Sequence, residues 1–392
     1  MRPFLGIHPS LGPFGFADVV TRSSRPGHRF AALPLVLITV IAAACGQADT
    51  NVATGGQSNP SLTGATTAPP ATSSSRTPPT TIVRHLDMVG RAVPLEVSQA
   101  SAIDISDKGT LVVASEDGTA TVFVDGPGTE GERIRLTDDA SDGAIYDVAV
   151  IDSPPAFFLV GRERSVRGVT WDGTAWTPQP AFERQLGVLR SVVASPDGTW
   201  VASAGDEGLV IRWDVRTGAA LGDPVDVGGA VADLALSPDG ETIAALLADG
   251  RVALIDQSID ATVDAPSIVS GASGRSIAFQ DDRTLIGSGG TTVWSLDTSS
   301  GTPSFASGPE LSDSIDAVDA WSRRGGPARL VAAAGIDRGS PAVVVWDPAA
   351  PDHAVSIGGL GSQPTAIAVS PDGAYVVFSD FRQAYAQSLT NT

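Results

Sequence analysis

Ser195-Pro196-Asp197-Gly198 returns as Ser237-Pro238-Asp239-Gly240 and again as Ser370-Pro371-Asp372-Gly373. Around the first copy lie Val192-Val193-Ala194 and Trp200-Val201-Ala202-Ser203-Ala204, runs of small and β-branched residues that suit packed strands. Proline presets φ inside a turn and glycine accepts the positive φ that follows, so each tetrapeptide reads as the link between two antiparallel strands. Worn copies stand at Ser106-Asp107-Lys108-Gly109, Asp152-Ser153-Pro154-Pro155, Gln280-Asp281-Asp282-Arg283 and Arg323-Arg324-Gly325-Gly326. A second, independent series marks a following strand: Thr121-Val122-Phe123-Val124-Asp125, Val169-Thr170-Trp171-Asp172, Ile211-Arg212-Trp213-Asp214, Ala253-Leu254-Ile255-Asp256, Thr292-Val293-Trp294 and Val344-Val345-Trp346-Asp347.

A unit of about 40–45 residues that repeats strand, turn and strand is the mark of a β-propeller blade. Residues 82–392 hold seven such units, so the predicted fold is all-β, a seven-bladed propeller. One blade cannot bury both of its faces, whereas a closed ring of blades does. The last unit, 365–389, has material for only three strands. Its fourth is expected from the stretch 82–95, an N-terminal strand that closes the circle and leaves no free sheet edge.

These residues resemble the WD-repeat propellers over nearly all of 82–392. The fullest copy is in blade 3, where Ser203-Ala204-Gly205-Asp206-Glu207-Gly208 and Leu209-Val210-Ile211-Arg212-Trp213-Asp214 are similar to the family's hairpin and terminal Trp-Asp. Blades of that family commonly open with Gly-His, whose imidazole joins an Asp, a Ser or Thr and the Trp in a buried hydrogen-bond network. Here only His85 and His353 fall within the domain, neither at a blade start, so the resemblance implies no such tetrad. The chain is closer to a degenerate bacterial branch of the family, or to a related Ser-Pro-Asp-Gly propeller family. Asp206, Trp213, Asp214, Trp346 and Asp347 are read as structural residues. The resemblance further implies that one face, made of the loops between blades and the hairpins between second and third strands, meets partners. It assigns Arg162, Arg164 and Arg167 of blade 2, Glu207 of blade 3, and Asp337 with Arg338 of blade 6 to that rim. A guanidinium is a planar, multidentate donor for carboxylate or phosphate, which suits the arginine group to recognition; the competing reading is charge balance on an exposed hairpin.

The N-terminal part concerns location. Arg22, Arg25, His28 and Arg29 precede a mostly apolar run over 30–44 that stops at Cys45, the only cysteine. This is the layout of a secretory signal, too short for a membrane span, with a basic segment placed as it would be if translation began near Val19 or Val20. Ile41-Ala42-Ala43-Ala44-Cys45 resembles the lipobox of bacterial lipoproteins. That implies a diacylated Cys45 as the mature N-terminus and a place on the extracytoplasmic side of the cell membrane. Ala42-Ala43-Ala44 also suits ordinary signal peptidase, which would give a secreted protein, and a retained anchor is the third reading. Residues 46–81, built of Gly, Ser, Thr, Ala, Pro, Asn and Gln, cannot form a core and read as a flexible tether. The expected organisation is a signal peptide over 1–44, the lipidated cysteine and linker over 45–81, and the propeller over 82–392.

Residues 82–392 carry 20 Arg and Lys against 42 Asp and Glu, a formal net charge of −22. Nucleic acid and anionic lipid both require the opposite sign over a surface, which excludes them as partners of the domain and leaves the lipid anchor as its membrane contact. Nucleophile-elbow, Walker, dinucleotide and zincin motifs are lacking, and Gly287-Ser288-Gly289-Gly290 reads as a strand end and turn. No catalytic residue, metal site or cofactor is expected. Asp138, Asp139 and Asp142 share one loop, which reads as a solvated acidic face in preference to a calcium site. The expected function is that of a monomeric, non-catalytic module binding an envelope protein or ligand. The alternative is an envelope hydrolase of the lactonase-like class, with carboxylates at the mouth of the central channel.

Overall fold

The recurring tetrapeptide is explained by what each of its residues does. Ser195 Oγ accepts from the backbone N–H groups of Thr199 and Trp200 at 3.1 and 3.0 Å, and the Ser195 carbonyl accepts from Gly198 N–H at 2.9 Å. Asp197 accepts from Thr199 N–H at 3.0 Å, and Gly198 holds a φ of 71°, where a Cβ would be strained. Ser237 and Ser370 cap Thr242 and Tyr375 in the same way and are buried. The computed structural model describes residues 86–136, 143–182, 185–256, 274–300, 302–305, 308–321, 330–380 and 382–391. Cys45, the loop with Asp138, Asp139 and Asp142, and the link at 323–326 lie outside them.

Seven antiparallel sheets follow from the seven units. Blades 1 to 6 run over 100–135, 145–178, 189–226, 231–256, 277–305 and 314–357, and blade 7 over 366–391. Blade 4 has three strands among the described residues; each of the others has four. Each blade's first strand lies innermost and touches that of the next, and Ala366–Val369 of blade 7 touches Ala100–Ile105 of blade 1, so the ring is closed.

The core is divided accordingly, with one apolar cluster between each pair of neighbours. Between blades 1 and 2, Ala102, Val112 and Val122 meet Val148, Val150 and Phe157. Between blades 7 and 1, Ala368, Val377 and Ala386 meet Ile103, Leu111 and Val113. Side chains alternate along a strand, so a single inner strand serves two interfaces. Each Val or Leu so buried contributes roughly 1.5–3 kcal/mol, and no blade keeps that contribution without both neighbours.

Closure is made as expected, by the N-terminal strand. Leu86–Ser98 pairs antiparallel with the last strand, Leu86 opposite Asn391 and Ser98 opposite Gln383, and runs past the expected end at residue 95. Leu95 and Val97 then enter the cluster shared by blades 7 and 1. Leu389 N–H donates to the carbonyl of Ala374, just after the last Ser-Pro-Asp-Gly link, at 2.6 Å. The chain therefore enters the propeller on the face of the links, and Ser98 emerges on the opposite face. Deleting residues 86–98 is expected to bare the edge of the final strand and to give aggregates in size-exclusion chromatography, while deleting 46–80 leaves elution compact and unfolding cooperative. Equal behaviour of the two deletions would place closure elsewhere.

Candidate binding site at the channel mouth

Five inner strands share one irregularity. The pairing register skips Ser101, Tyr146, Arg190, Ala232 and Asp316, one in each of blades 1, 2, 3, 4 and 6. A bulge bends its strand and re-aims the extra side chain. All five line a cavity of about 720 Å³ at the centre of the ring, together with Arg275 and Thr365 at the matching places of blades 5 and 7 and with Gln363 and Arg382. The bulge needs space on the adjoining strand, and Gly161, Gly205 and Gly335 supply it: a Cβ on Gly205 would lie 2.0 Å from the Val188 carbonyl oxygen.

The residue after the bulge fastens the next blade. Asp147 Oδ2 accepts from Val192 N–H at 2.8 Å and from the Ser191 hydroxyl at 2.7 Å. Ser191 Oγ in turn accepts from Leu234 N–H at 3.0 Å, Asp233 Oδ2 from Ile277 N–H at 2.8 Å, and Ser276 Oγ from Val318 N–H at 3.3 Å. Blades 1 and 6 have Ala102 and Ala317 at this place, and an aspartate two residues on takes over. Asp104 Oδ2 accepts from Val150 N–H at 2.7 Å, and Asp319 Oδ2 from Val369 N–H at 2.8 Å. Blade 7 has alanine at both places, Ala366 and Ala368. Its joint to blade 1 carries instead a backbone bond of 2.9 Å from Gln99 N–H to the Arg382 carbonyl.

Four carboxylates thus sit in the channel wall. Each is half-buried by area, but its open side faces the narrow channel and not bulk water. Burial pushes Asp104 and Asp233 up to about 7 and Asp147 up to about 6, against the pull of their backbone hydrogen bonds, and raises Asp319 as well. The charge of Asp147 adds to the rise at Asp233.

The mouth brings arginines and aspartates together. Arg190 donates to Asp206 through Nε and Nη2 at 2.9 and 3.3 Å and lies 5.0 Å from the Tyr146 ring centre. The hydrogen bond to Asp206 raises its pKa and keeps it charged. Arg275 Nη1 is 3.3 Å from Asp316 Oδ1, while Asp316 Oδ2 accepts from the Gln363 amide. Arg382 is exposed. Sequence reading passed over these residues because they carry no motif. Their signal is positional: Ser101, Arg190, Ala232, Arg275 and Thr365 each stand five residues ahead of a link.

The rim residues assigned by resemblance lie on this same face, further out. Arg162, Arg164 and Arg338 are exposed, Arg164 and Arg338 at hairpin tips with φ of 64° and 51°. Arg167 is paired with Glu163 and donates to the Leu136 carbonyl at 3.0 Å, which ties blade 2 to blade 1. Asp337 accepts from Ser312 N–H at 3.2 Å and lies 4.0 Å from Arg338, and Glu207 is half-buried beside Gly187. Among the described residues no hydrogen bond or ion pair joins these three hairpins to one another. Nor, among the described residues, is any group of three or more His, Cys, Asp or Glu placed to hold a metal ion.

Of the residues read as structural, Asp206 is exposed and stands at the mouth, where it holds Arg190. Asp214 and Asp347 accept backbone N–H groups in the turns after their strands, at Thr217 and Ala349, and Trp346 is buried between blades 5 and 6. Buried Trp213 donates through Nε1 to Ser203 Oγ at 2.9 Å, and Ser203 Oγ donates to Gln185 Oε1 at 3.1 Å. A network of the kind that the family builds on histidine is therefore present in shortened form, with Gln185 in the imidazole's part.

The wall carboxylates set a pH dependence. A carboxyl whose pKa is raised by folding binds its proton more readily when folded, so its contribution is full below about pH 4 and is lost as the pH rises through 6 to 7. Asp233→Ser, which copies the bridge of Ser191 and Ser276, is expected to stay folded and to lose less urea resistance than the unsubstituted chain between pH 5 and pH 8. Turn aspartates such as Asp214 and Asp297, held below the usual range by Thr217 and Ser299, change protonation only below this window and leave the comparison untouched. Asp233→Ala, which leaves the Ile277 N–H unmet, is expected to cost about 1–3 kcal/mol in the same assay.

Residues 180–214 match the family described as WD domain, G-beta repeat. That segment holds the Gln185–Ser203–Trp213 network, the first Ser-Pro-Asp-Gly link and the bulged Arg190. A search of curated proteins returns no match. The fold and this matched segment together make the chain a seven-bladed β-propeller whose third blade carries a WD40 repeat.

Proposed function

We propose that the protein is a non-catalytic binding module of the cell envelope, held at the extracytoplasmic side of the membrane by lipid on Cys45, with the channel mouth and its hairpins turned to a protein partner. The observation that carries this reading is the difference between the two faces. The link face, where the chain enters at Leu86, bears an aspartate at almost every turn, among them Asp107, Asp197, Asp239, Asp281, Asp372, Asp214 and Asp347. Most arginines of the described residues stand on the opposite face, with Arg190, Arg275 and Arg382 around the cavity and the rest on its hairpins, interleaved there with Glu163, Asp206, Asp249 and Asp316. A tether that leaves from the link face lets the mouth turn outward. Arginine and tyrosine at the mouth are the residue types that dominate binding energy at protein interfaces.

The hydrolase alternative would draw on the wall carboxylates, whose raised pKa values are of the kind found at active sites. Their oxygens are committed elsewhere. Asp104 Oδ1 accepts from Ile105 N–H at 2.8 Å while Oδ2 holds blade 2, and Asp147 and Asp233 are engaged in the same two-sided way. Holding the ring together accounts for the carboxylates without chemistry.

Three measurements test the proposal. Cys45→Ser is expected to move the protein from the detergent phase to the aqueous phase, and unchanged partitioning would remove the lipid anchor. Arg162→Gln with Arg164→Gln is expected to weaken capture of the envelope partner in a salt-sensitive manner while unfolding stays within about 0.5 kcal/mol, since exposed charges contribute little to stability. Turnover of lactones or esters by the purified protein would overturn the non-catalytic reading.

A further inference from the structure

We infer that the channel mouth is a recognition site for one carboxylate, gripped between Arg190 of blade 3 and Arg275 of blade 5. The inference rests on the reading of this face as the binding face and names the chemistry it takes. Between the two arginines stands Ala232, the smallest side chain at the mouth position of any blade, so the wall is recessed where the two guanidiniums flank it. The cavity's volume of about 720 Å³ falls within the range of small-ligand sites, roughly 300–1,000 Å³.

Both arginines are set in place before a ligand arrives. Arg190 is held by Asp206 on one side of its fork and lies over Tyr146. Arg275 is held through Nη1 by Asp316, itself fixed by Gln363 and by the Ser314 hydroxyl at 3.0 Å. A guanidinium has five N–H donors, so each arginine keeps donors to spare after these bonds, and their planar fork matches a carboxylate.

Charge sets the valence of the ligand. Arg190, Arg275 and Arg382 line the cavity together with Asp316, Asp147 and Asp233, and Asp206 is paired with Arg190, so the wall holds no excess of positive charge for a polyanion. Deeper in the same cavity, Asp147 and Asp233 oppose any second negative charge. A monoanionic carboxylate fits this arrangement and a phosphate dianion does not. The carboxylate comes either from an acidic segment of a partner protein or from a small free acid.

The test is calorimetric titration of the whole chain in detergent with three probes: an end-capped alanine peptide bearing a single glutamate, butyrate and inorganic phosphate. The glutamate peptide, butyrate or both are expected to bind, at least tenfold more weakly to Arg190→Gln and to Arg275→Gln, more weakly still to Arg275→Glu, and equally well to Arg283→Gln on the link face. Arg275 is 74% exposed, so its replacement leaves thermal unfolding unchanged. Peptide binding without butyrate assigns the carboxylate to a partner protein; butyrate binding assigns it to a free acid. Binding of neither, binding indifferent to both mouth arginines, or phosphate bound more tightly than either carboxylate overturns the inference. Partner capture that still depends on Arg162 and Arg164 in that event would leave the binding-face reading standing.

Discussion

At six of the seven joints, a backbone N–H of one blade donates to an inner-strand side chain of the blade before it, which fastens the ring at the wall of its channel, where apolar packing between blades does not reach. The donor is an inner-strand N–H with no partner in its own sheet, and leaving it unmet would cost about 1–3 kcal/mol at each joint. The acceptor can be carboxylate or hydroxyl, and it can stand at either of two places on the strand, as Asp147 and Asp104 show. A carboxylate gives the stronger bond but has to be taken partly out of water, which is why the wall aspartates hold protons so readily. Serine at Ser191 and Ser276 gives a weaker bond free of that cost.

The same constraint builds the mouth. Because the bridging residue must meet the neighbouring blade, the bulge before it has a fixed place, and the bulged side chain is turned into the cavity whatever its chemistry. Ser101, Tyr146, Arg190, Ala232 and Asp316 differ in size, charge and polarity, yet occupy one structural position. The ring can therefore carry any set of functional groups there at little expense to its stability, on strands rigid enough to hold them.

The sequence made the repeat legible because its link residues each answer a local demand, a cap from serine, a preset φ from proline and a positive φ at glycine, that no other residues meet as well. Closure was legible from a shortage of strands in the last unit. The mouth was not, since a bulge is a matter of register between strands and leaves no residue type behind; Arg190 and Arg275 look like any surface arginine until their distance from a link is counted. Gln185 escaped for another reason. It supplies by hydrogen bonding alone what WD-repeat propellers obtain from an imidazole, and a glutamine before a strand announces nothing.

The way the final blade is closed has a mechanical consequence. The strand Leu86–Ser98 runs from the link face to the mouth face, and its ladder bonds to Gln383–Asn391 lie across that direction. A pull between Leu86 and something gripped at the mouth acts along the strand, so the whole ladder is loaded in shear and its bonds share the strain, where a pull at right angles would peel them one after another. The joint between blades 7 and 1, which alone carries no aspartate or serine bridge among the described residues, is thereby the one reinforced against traction from outside.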